Sequence, residues 1–222
     1  MELSPQLHAF LWTNPSANNC NTYLIRSREK RILIDPGYAA YFGHVREALA
    51  RIELSLEDID LIICTHAHPD HVEAVRLFTE LPTRFALHAA EWDLIQKMAP
   101  FMKNSLNGSP DSLEPDFFLT EGTLSVGDIH LEVYHTPGHS PGGVTLCFPA
   151  EKALFTGDLI FAGGLGRTDL PGGNGDRLKE SIRRISSLNA KWLLSGHGEI
   201  ISDETTVADN FVQVEQAWFR YI

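Results

Sequence analysis

The sequence predicts a mixed α/β fold in which two sheets pack together and helices cover them on the outside. Three observations carry this reading. Short β-rich runs open the chain and recur in its second half. Amphipathic helical stretches are inserted after the strands of both halves. Several apolar strands end on a small residue followed by a potential metal ligand. Strands in runs, with helices after each run, build sheets flanked by helices. No linker, low-complexity tract or repeat divides the 222 residues, so one domain over residues 1–222 is expected.

The elements follow in order. Leu7–Leu11, Asn21–Ile25 and Arg31–Ile34 read as strands, and Asn14–Asn21 between the first two is rich in Asn, Ser and Pro, which is loop chemistry. Asp35-Pro36-Gly37 ends the third strand as a turn. Residues 43–51 predict a helix with Val45, Leu49 and Ile52 on one face. Leu61–Cys64 is a continuous apolar run, as in a strand covered on both sides. Val72, Val75 and Phe78 then recur at helical spacing over 71–79. Phe85–His88 predicts a strand and Glu91–Met98 a helix, while residues 99–115 hold three prolines and form a candidate lid. The second half brings strands at Phe117–Leu119, Leu124–Val126, Ile129–Tyr134, Val144–Phe148 and Ala153–Thr156. A helix over 176–188, a strand at Trp192–Leu194 and a helix over 205–221 complete the chain, the last with Val207, Phe211, Val214 and Trp218 on one face.

The charge balance excludes some partners. Lys and Arg number 18 against 29 Asp and Glu, a formal net charge of −11. An acidic chain argues against a nucleic-acid partner and for a small-molecule substrate. No apolar run approaches the about 20 residues of a membrane span. The start carries no secretory signal, and Cys20, Cys64 and Cys147 form no C-x-x-C pair, so a reducing, cytoplasmic setting is expected.

The chemistry begins at Thr65-His66-Ala67-His68-Pro69-Asp70-His71. Three histidines and an aspartate so close together mix neutral nitrogen with hard oxygen donors, which zinc and iron both accept. His66 and His68 alternate, so on extended backbone they project to one side, and Pro69 biases His68 toward that backbone. Asp70 has two readings, a ligand or a helix N-cap with Glu73 three residues on. Further on, Thr136-Pro137-Gly138-His139 puts a histidine on a Pro/Gly-shaped loop. Thr156-Gly157-Asp158 and Ser195-Gly196-His197 each end an apolar strand on a donor. His8, His44, His88, His130 and His135 read as structural or surface residues, with His135 singled out because it lies four residues before His139.

With these residues in hand, the chain resembles the metallo-β-lactamase superfamily over roughly residues 20–200. Its H-x-H-x-D-H motif matches His66, His68, Asp70 and His71. Its later motifs match His139, Asp158 and His197, and its first matches Asp35, an aspartate that supports the metal loop. The resemblance implies a four-layer αββα sandwich, two mixed β-sheets flanked by helices. It implies that His66, His68 and His139 hold one metal, that Asp70, His71 and His197 hold a second, and that Asp158 bridges. Seven ligands exceed what one tetrahedral ion takes, so two divalent ions are expected, zinc first, with iron or manganese as alternatives. Such ions stand about 3.5–4 Å apart.

Gly166-Arg167-Thr168-Asp169, after the bridging aspartate, is similar to the glyoxalase II-like (hydroxyacylglutathione hydrolase-like) branch, including its short bacterial members. Arg167 reads as a contact for an anionic substrate or as a partner of Asp169 or of a carbonyl. Full-length glyoxalase II enzymes carry a C-terminal helical domain that supplies basic residues for glutathione. Here about 25 residues follow His197, and Gly198-Glu199-Ile200 stands where those enzymes place a tyrosine. The resemblance implies a metal-dependent hydrolase, of thioesters first, that uses a metal-bound hydroxide at a dinuclear centre. Asp70 there ligates a metal and orients the nucleophile or receives its proton. The alternatives are a mononuclear Fe(II) persulfide dioxygenase built on His66, His139 and Asp158, a lactonase or β-lactamase-like hydrolase, and a non-catalytic metal-binding domain. The oligomeric state stays open; Trp218, Phe219 and Tyr221 serve either a dimer contact or core packing.

Overall fold

The computed structural model describes residues 1–99 and 110–222. The candidate lid at 99–115 thus falls largely outside the described residues; Pro110–Leu113 form a 3-10 turn. Two compact units divide the chain, Met1–Leu119 with Val126–Ile129, and Thr120–Ser125 with His130–Ile222.

In the first unit, β1 (Glu2–Ser4), β2 (Leu7–Phe10), β3 (Thr22–Arg26), β4 (Arg31–Ile34), β5 (Leu61–Ile63), β6 (Arg84–His88) and β7 (Phe117–Leu119) form a seven-stranded sheet in that spatial order. β1 to β4 pair antiparallel and β4 to β7 parallel. Parallel neighbours need long crossovers. These carry α1 (Gly43–Ala50), α2 (Pro69–Val72) and α3 (Ala89–Met98). Leu-Ile-Ile of β5 is buried throughout. Leu24, Leu33 and Ile62 from the strands join Val45 and Leu49 of α1 and Val72, Val75 and Phe78 in one apolar cluster. Burying each such side chain contributes about 1.5–3 kcal/mol.

In the second unit, with the hairpin residues Val126–Ile129 apart, the strands are β8 (Gly122–Val126), β9 (Ile129–His135), β10 (Val144–Phe148), β11 (Ala153–Gly157), β12 (Ile160–Phe161) and β13 (Gly164–Leu165). After α4 (Gly175–Ser186) come β14 (Trp192–Ser195), β15 (Ile201–Ser202) and α5 (Glu204–Trp218). A six-stranded sheet runs β15-β14-β11-β10-β9-β8, and β12 with β13 makes a small ribbon. β11 and β14 are parallel, while β10 is antiparallel to both β9 and β11. Leu178, Ile182 and Ile185 of α4 pack with Val207, Phe211 and Val214 of α5 and with Leu154 and Leu193 of the sheet. The chain is therefore a mixed α/β protein with two large mixed sheets and helices. No helix among the described residues is long and apolar enough to cross a membrane, and all three cysteines are free.

Several expectations need correction. The segment predicted as a helix over 71–79 starts at Pro69 and tightens to a 3-10 helix over Glu73–Phe78. The spacing explains it: Val72, Val75 and Phe78 recur every three residues, the 3-10 period, rather than at mixed threes and fours. Asp70 is not an N-cap. His68 caps α2 in extended backbone, with Pro69 at the first helical position, and Glu73 bonds the Ala39 amide at 2.8 Å. Trp218 leaves the buried face of the last helix and is 43% exposed, while Phe219 is 9% exposed. The α-helix ends at Trp218 and a 3-10 turn over Phe219–Tyr221 turns Phe219 inward. The strands β1, β12, β13 and β15, of two or three residues, escape the sequence reading.

Candidate metal centre

In the first unit the donors issue from the ends of parallel strands. β4 and β5 are neighbours in register Ile34 to Ile63, so Asp35 and the Thr65-His66 step emerge side by side. Asp35, 1% exposed, has φ of 52°, a conformation unusual for a residue with a side chain. Its carbonyl accepts from Thr22 Oγ1 at 2.7 Å and its carboxylate from the Thr65 amide and the Thr65 hydroxyl, each at 2.7 Å. His71 Nδ1 lies 2.9 Å from Asp35 Oδ2. A carboxylate only accepts, so Nδ1 carries the proton and Nε2 keeps a lone pair for a metal. The same logic applies one step along. The Thr65 hydroxyl gives its proton to Asp35 and stands 3.1 Å from His66 Nδ1, so His66 also presents Nε2. That Nε2 lies 3.1 Å from His68 Nδ1. The Pro69-biased backbone of His68, with ψ of 143°, brings the two nitrogens together.

Asp70 Oδ2 accepts from Asn18 Nδ2 at 2.7 Å, which draws the Asn-rich loop onto the cluster. Tyr38, beside it, has its phenol pushed up to about 12, chiefly by burial and then by the charges of Asp70 and Glu73. Two further buried carboxylates serve backbone amides, Glu73 that of Ala39 and Glu91 that of Ala67, at 2.8 and 2.7 Å. Asn18, Tyr38 and Glu91 were missed by the sequence reading, and Glu73 was read there only as a capping partner of Asp70. The spacing of the three carries no motif, and only the loop composition around Asn18 gave a signal.

In the second unit the same construction recurs. β11 and β14 are parallel, with Gly157 opposite Ser195, so Asp158 and the Gly196-His197 step leave neighbouring strand ends. Asp158 Oδ2 lies 3.3 Å from His197 Nε2 and 3.6 Å from His139 Nε2. His139 Nδ1 faces the Arg167 carbonyl at 2.7 Å, an acceptor only, so Nδ1 carries the proton and Nε2 keeps the lone pair. Gly138, at φ of 141°, lets the histidine loop press on α4, where Ser181 Oγ donates to the Pro137 carbonyl at 2.7 Å. Gly166 is required by space: a Cβ there would stand 1.8 Å from the Asp158 carbonyl oxygen and 3.1 Å from His139 Nδ1. The Gly166-Arg167-Thr168-Asp169 stretch thus supports the donors through its backbone, while the Arg167 side chain forms two 2.7 Å bonds to Asp169.

His66, His68, Asp70 and His71 in the first unit, and His139, Asp158 and His197 in the second, each belong to a group of donors that could hold a metal ion. The donor chemistry, with imidazole nitrogens oriented by outer partners and carboxylate oxygens beside them, fits divalent metal ions. His135 belongs to none of these groups; its Nε2 faces the Pro141 carbonyl at 3.1 Å. His88 caps α3, His44 faces the Tyr41 carbonyl and His130 faces Ser125.

Comparison with known proteins agrees. The family model of the metallo-β-lactamase superfamily matches residues 15–197. A probable metallo-hydrolase of Methanocaldococcus jannaschii is 38% identical over 191 residues, covering 81% of this chain and 88% of that protein. Hydroxyacylglutathione hydrolase GloC of Haemophilus influenzae is 35% identical over 193 residues, 81% of this chain and 85% of the enzyme. Among solved structures, BLEG-1, a B3 metallo-β-lactamase, superposes with a TM-score of 0.76 at 29% identity over 93% of this chain and 99% of its own. TTHA1623 in a di-iron-bound form gives 0.72 at 32% identity over 86% and 93%. The chain belongs to the metallo-β-lactamase superfamily and is a metallo-hydrolase by family.

Proposed function

We propose that the chain hydrolyses a thioester of a small molecule at a centre of two divalent ions, zinc first. In this reading His66, His68 and His139 hold one ion, Asp70, His71 and His197 the other, and Asp158 is shared. The whole chain works as one domain, as the family match across 15–197 supports. The observation that carries the reading is the outer bonding of the histidines. His71 and His139 each have Nδ1 tied to an oxygen that only accepts, at 2.9 and 2.7 Å, which leaves Nε2 to a cation. The thioester class is supported by the hydroxyacylglutathione hydrolase relative at 35% identity. Two ions are supported by the seven-donor set and by the di-iron form of a relative.

When bound, the ions supply a Lewis acid for the carbonyl and acidify a water toward neutral pH. The chain's residues do the rest. Asn18 fixes the rotation of Asp70, whose carboxylate orients the nucleophile or receives its proton. Tyr38, its phenol pushed up to about 12 by burial and by the charges of Asp70 and Glu73, stays protonated at neutral pH. The thiolate leaving group of a thioester needs little acid assistance, which suits a site whose protonated groups are few.

The test is metal analysis of protein purified without added metal, run with thioester and persulfide assays. Two ions per chain with thioester cleavage is the expected result. One iron with persulfide-dependent oxygen uptake would replace the reading with the dioxygenase one. His68→Ala, folded by circular dichroism, is expected to lower turnover by about a hundredfold or more; wild-type turnover in that variant sinks the assignment.

A further inference from the structure

The loop that carries His66 and His68 has few backbone bonds of its own. Cys64 N bonds Ala86 O as β5 ends, and His71 N bonds His68 O as α2 begins. Between them the Thr65 and Ala67 amides go to side-chain carboxylates, Asp35 and Glu91, each at 2.7 Å. Asp35 is the family's supporting aspartate. Glu91 has no such assignment, and it is 0% exposed.

A carboxylate buried that fully costs several kcal/mol unless bonded. Two features offset the cost. Glu91 lies in the first turn of α3, where the helix dipole favours a negative charge, and its Oε2 takes the Ala67 amide in a charge-assisted bond. The topology delivers it there. β4, β5 and β6 are consecutive parallel strands, so Asp35, the histidine loop and the start of α3 all follow strand ends on one edge of the sheet. Ala67 is the residue between the two ligands, so fixing its amide fixes the peptide planes on which both imidazoles turn.

We propose that Glu91 is a positioning residue for the metal centre. Through the Ala67 amide it holds His66 Nε2 and His68 Nδ1 at the 3.1 Å separation that lets both serve one cation. Glu91 belongs to none of the donor groups that could hold a metal ion. The inference rests on the metal-centre reading above and adds the device that sets its geometry.

The experiment compares wild type with Glu91→Met, which keeps volume and removes the acceptor, with Glu91→Ala, and with Glu91→Gln, which retains a carbonyl acceptor. Zinc affinity of the stripped proteins is measured by competition with a chromophoric chelator, beside circular dichroism and thermal melting of the same metal-free samples. The Met and Ala variants are expected to bind zinc tenfold or more weakly with metal-free folds like wild type, as for lost outer partners of metal ligands, and Gln to stay within about threefold. Zinc affinity in Glu91→Met equal to wild type overturns the proposal, as does a loss in Glu91→Gln equal to that in Glu91→Met. If Met and Ala both fail to fold without metal, Glu91 anchors the fold and the proposal also falls. A wild-type chain that binds no zinc defeats instead the metal-centre reading itself.

Discussion

Asp35→Asn is the sharpest probe of the histidine loop. The native carboxylate takes three donors on two oxygens: the Thr65 amide, the Thr65 hydroxyl and His71 Nδ1. Asparagine tolerates the left-handed φ of 52°, so the backbone is unstressed and the change isolates the hydrogen bonding. One of its two terminal atoms is an NH₂ group that must face a donor. Whichever way the amide turns, at least one charge-assisted bond is lost in a site 1% exposed, a cost of about 1.5–3 kcal/mol. For a domain of this length each kcal/mol moves the melting midpoint by about 2–4 °C, so a fall of roughly 3–12 °C is expected. Because a neutral amide, even with its carbonyl turned to His71, is a weaker partner for Nδ1 than the carboxylate, zinc affinity should fall about 10–100-fold. Scanning calorimetry of stripped protein and a zinc competition titration read the two effects separately. A variant that melts within about 1 °C of wild type and binds zinc as tightly would refute the argument that Asp35 organises the loop.

Three other outcomes follow from the same geometry. Gly166→Ala places a Cβ 1.8 Å from the Asp158 carbonyl oxygen, so it should lower stability by about 1–3 kcal/mol and weaken metal binding; denaturant midpoints matching wild type would contradict the contact. The Glu121 carboxyl is held down to about 2 from 4.5, first by its hydrogen bonds from Arg184. A depressed acid contributes stability above 4.5 that is lost as pH falls toward 2, so urea midpoints of Glu121→Gln should be flatter across that window, by a small amount since the pair is half-exposed. Stripping the metals with a chelator should lower the melting midpoint and excess zinc restore it, by roughly 8–16 °C at a thousand times the dissociation constant, or about 4 kcal/mol; an unchanged midpoint would mean that the folded state holds no ion.

The donors were legible in the sequence because function dictates their type. Nothing in core packing calls for His66, His68 and His71 together, and His139, Asp158 and His197 follow apolar strands whose ends are easy to find. Continuous apolar runs such as Leu61–Cys64 were equally plain. The partners of the donors were not. Glu91 on a helix reads as one more acid on a wetted face, and only the parallel order of β5 and β6 turns it toward Ala67. Asn18 is a loop residue until the fold brings it 52 positions forward to Asp70. The strands β12, β13 and β15 are too short to show any period, and Trp218 was read inward because the periodicity does not tell where an α-helix gives way to a 3-10 turn.

The emergence of donors from adjoining parallel strands gives the protein a built-in ruler. Neighbouring strands are held about 4.8 Å apart by their amide ladders, and Asp158 and His197 step off β11 and β14 at that interval, as Asp35 and His66 step off β4 and β5. The gauge belongs to main-chain bonds, which point substitutions barely alter. Those parts of the long connections that touch no donor, unlike Gly166 and Arg167 between β11 and β14, can change length or sequence without resetting that strand spacing. A lineage can therefore remodel what the centre acts upon while the spacing of its ligands stays constant.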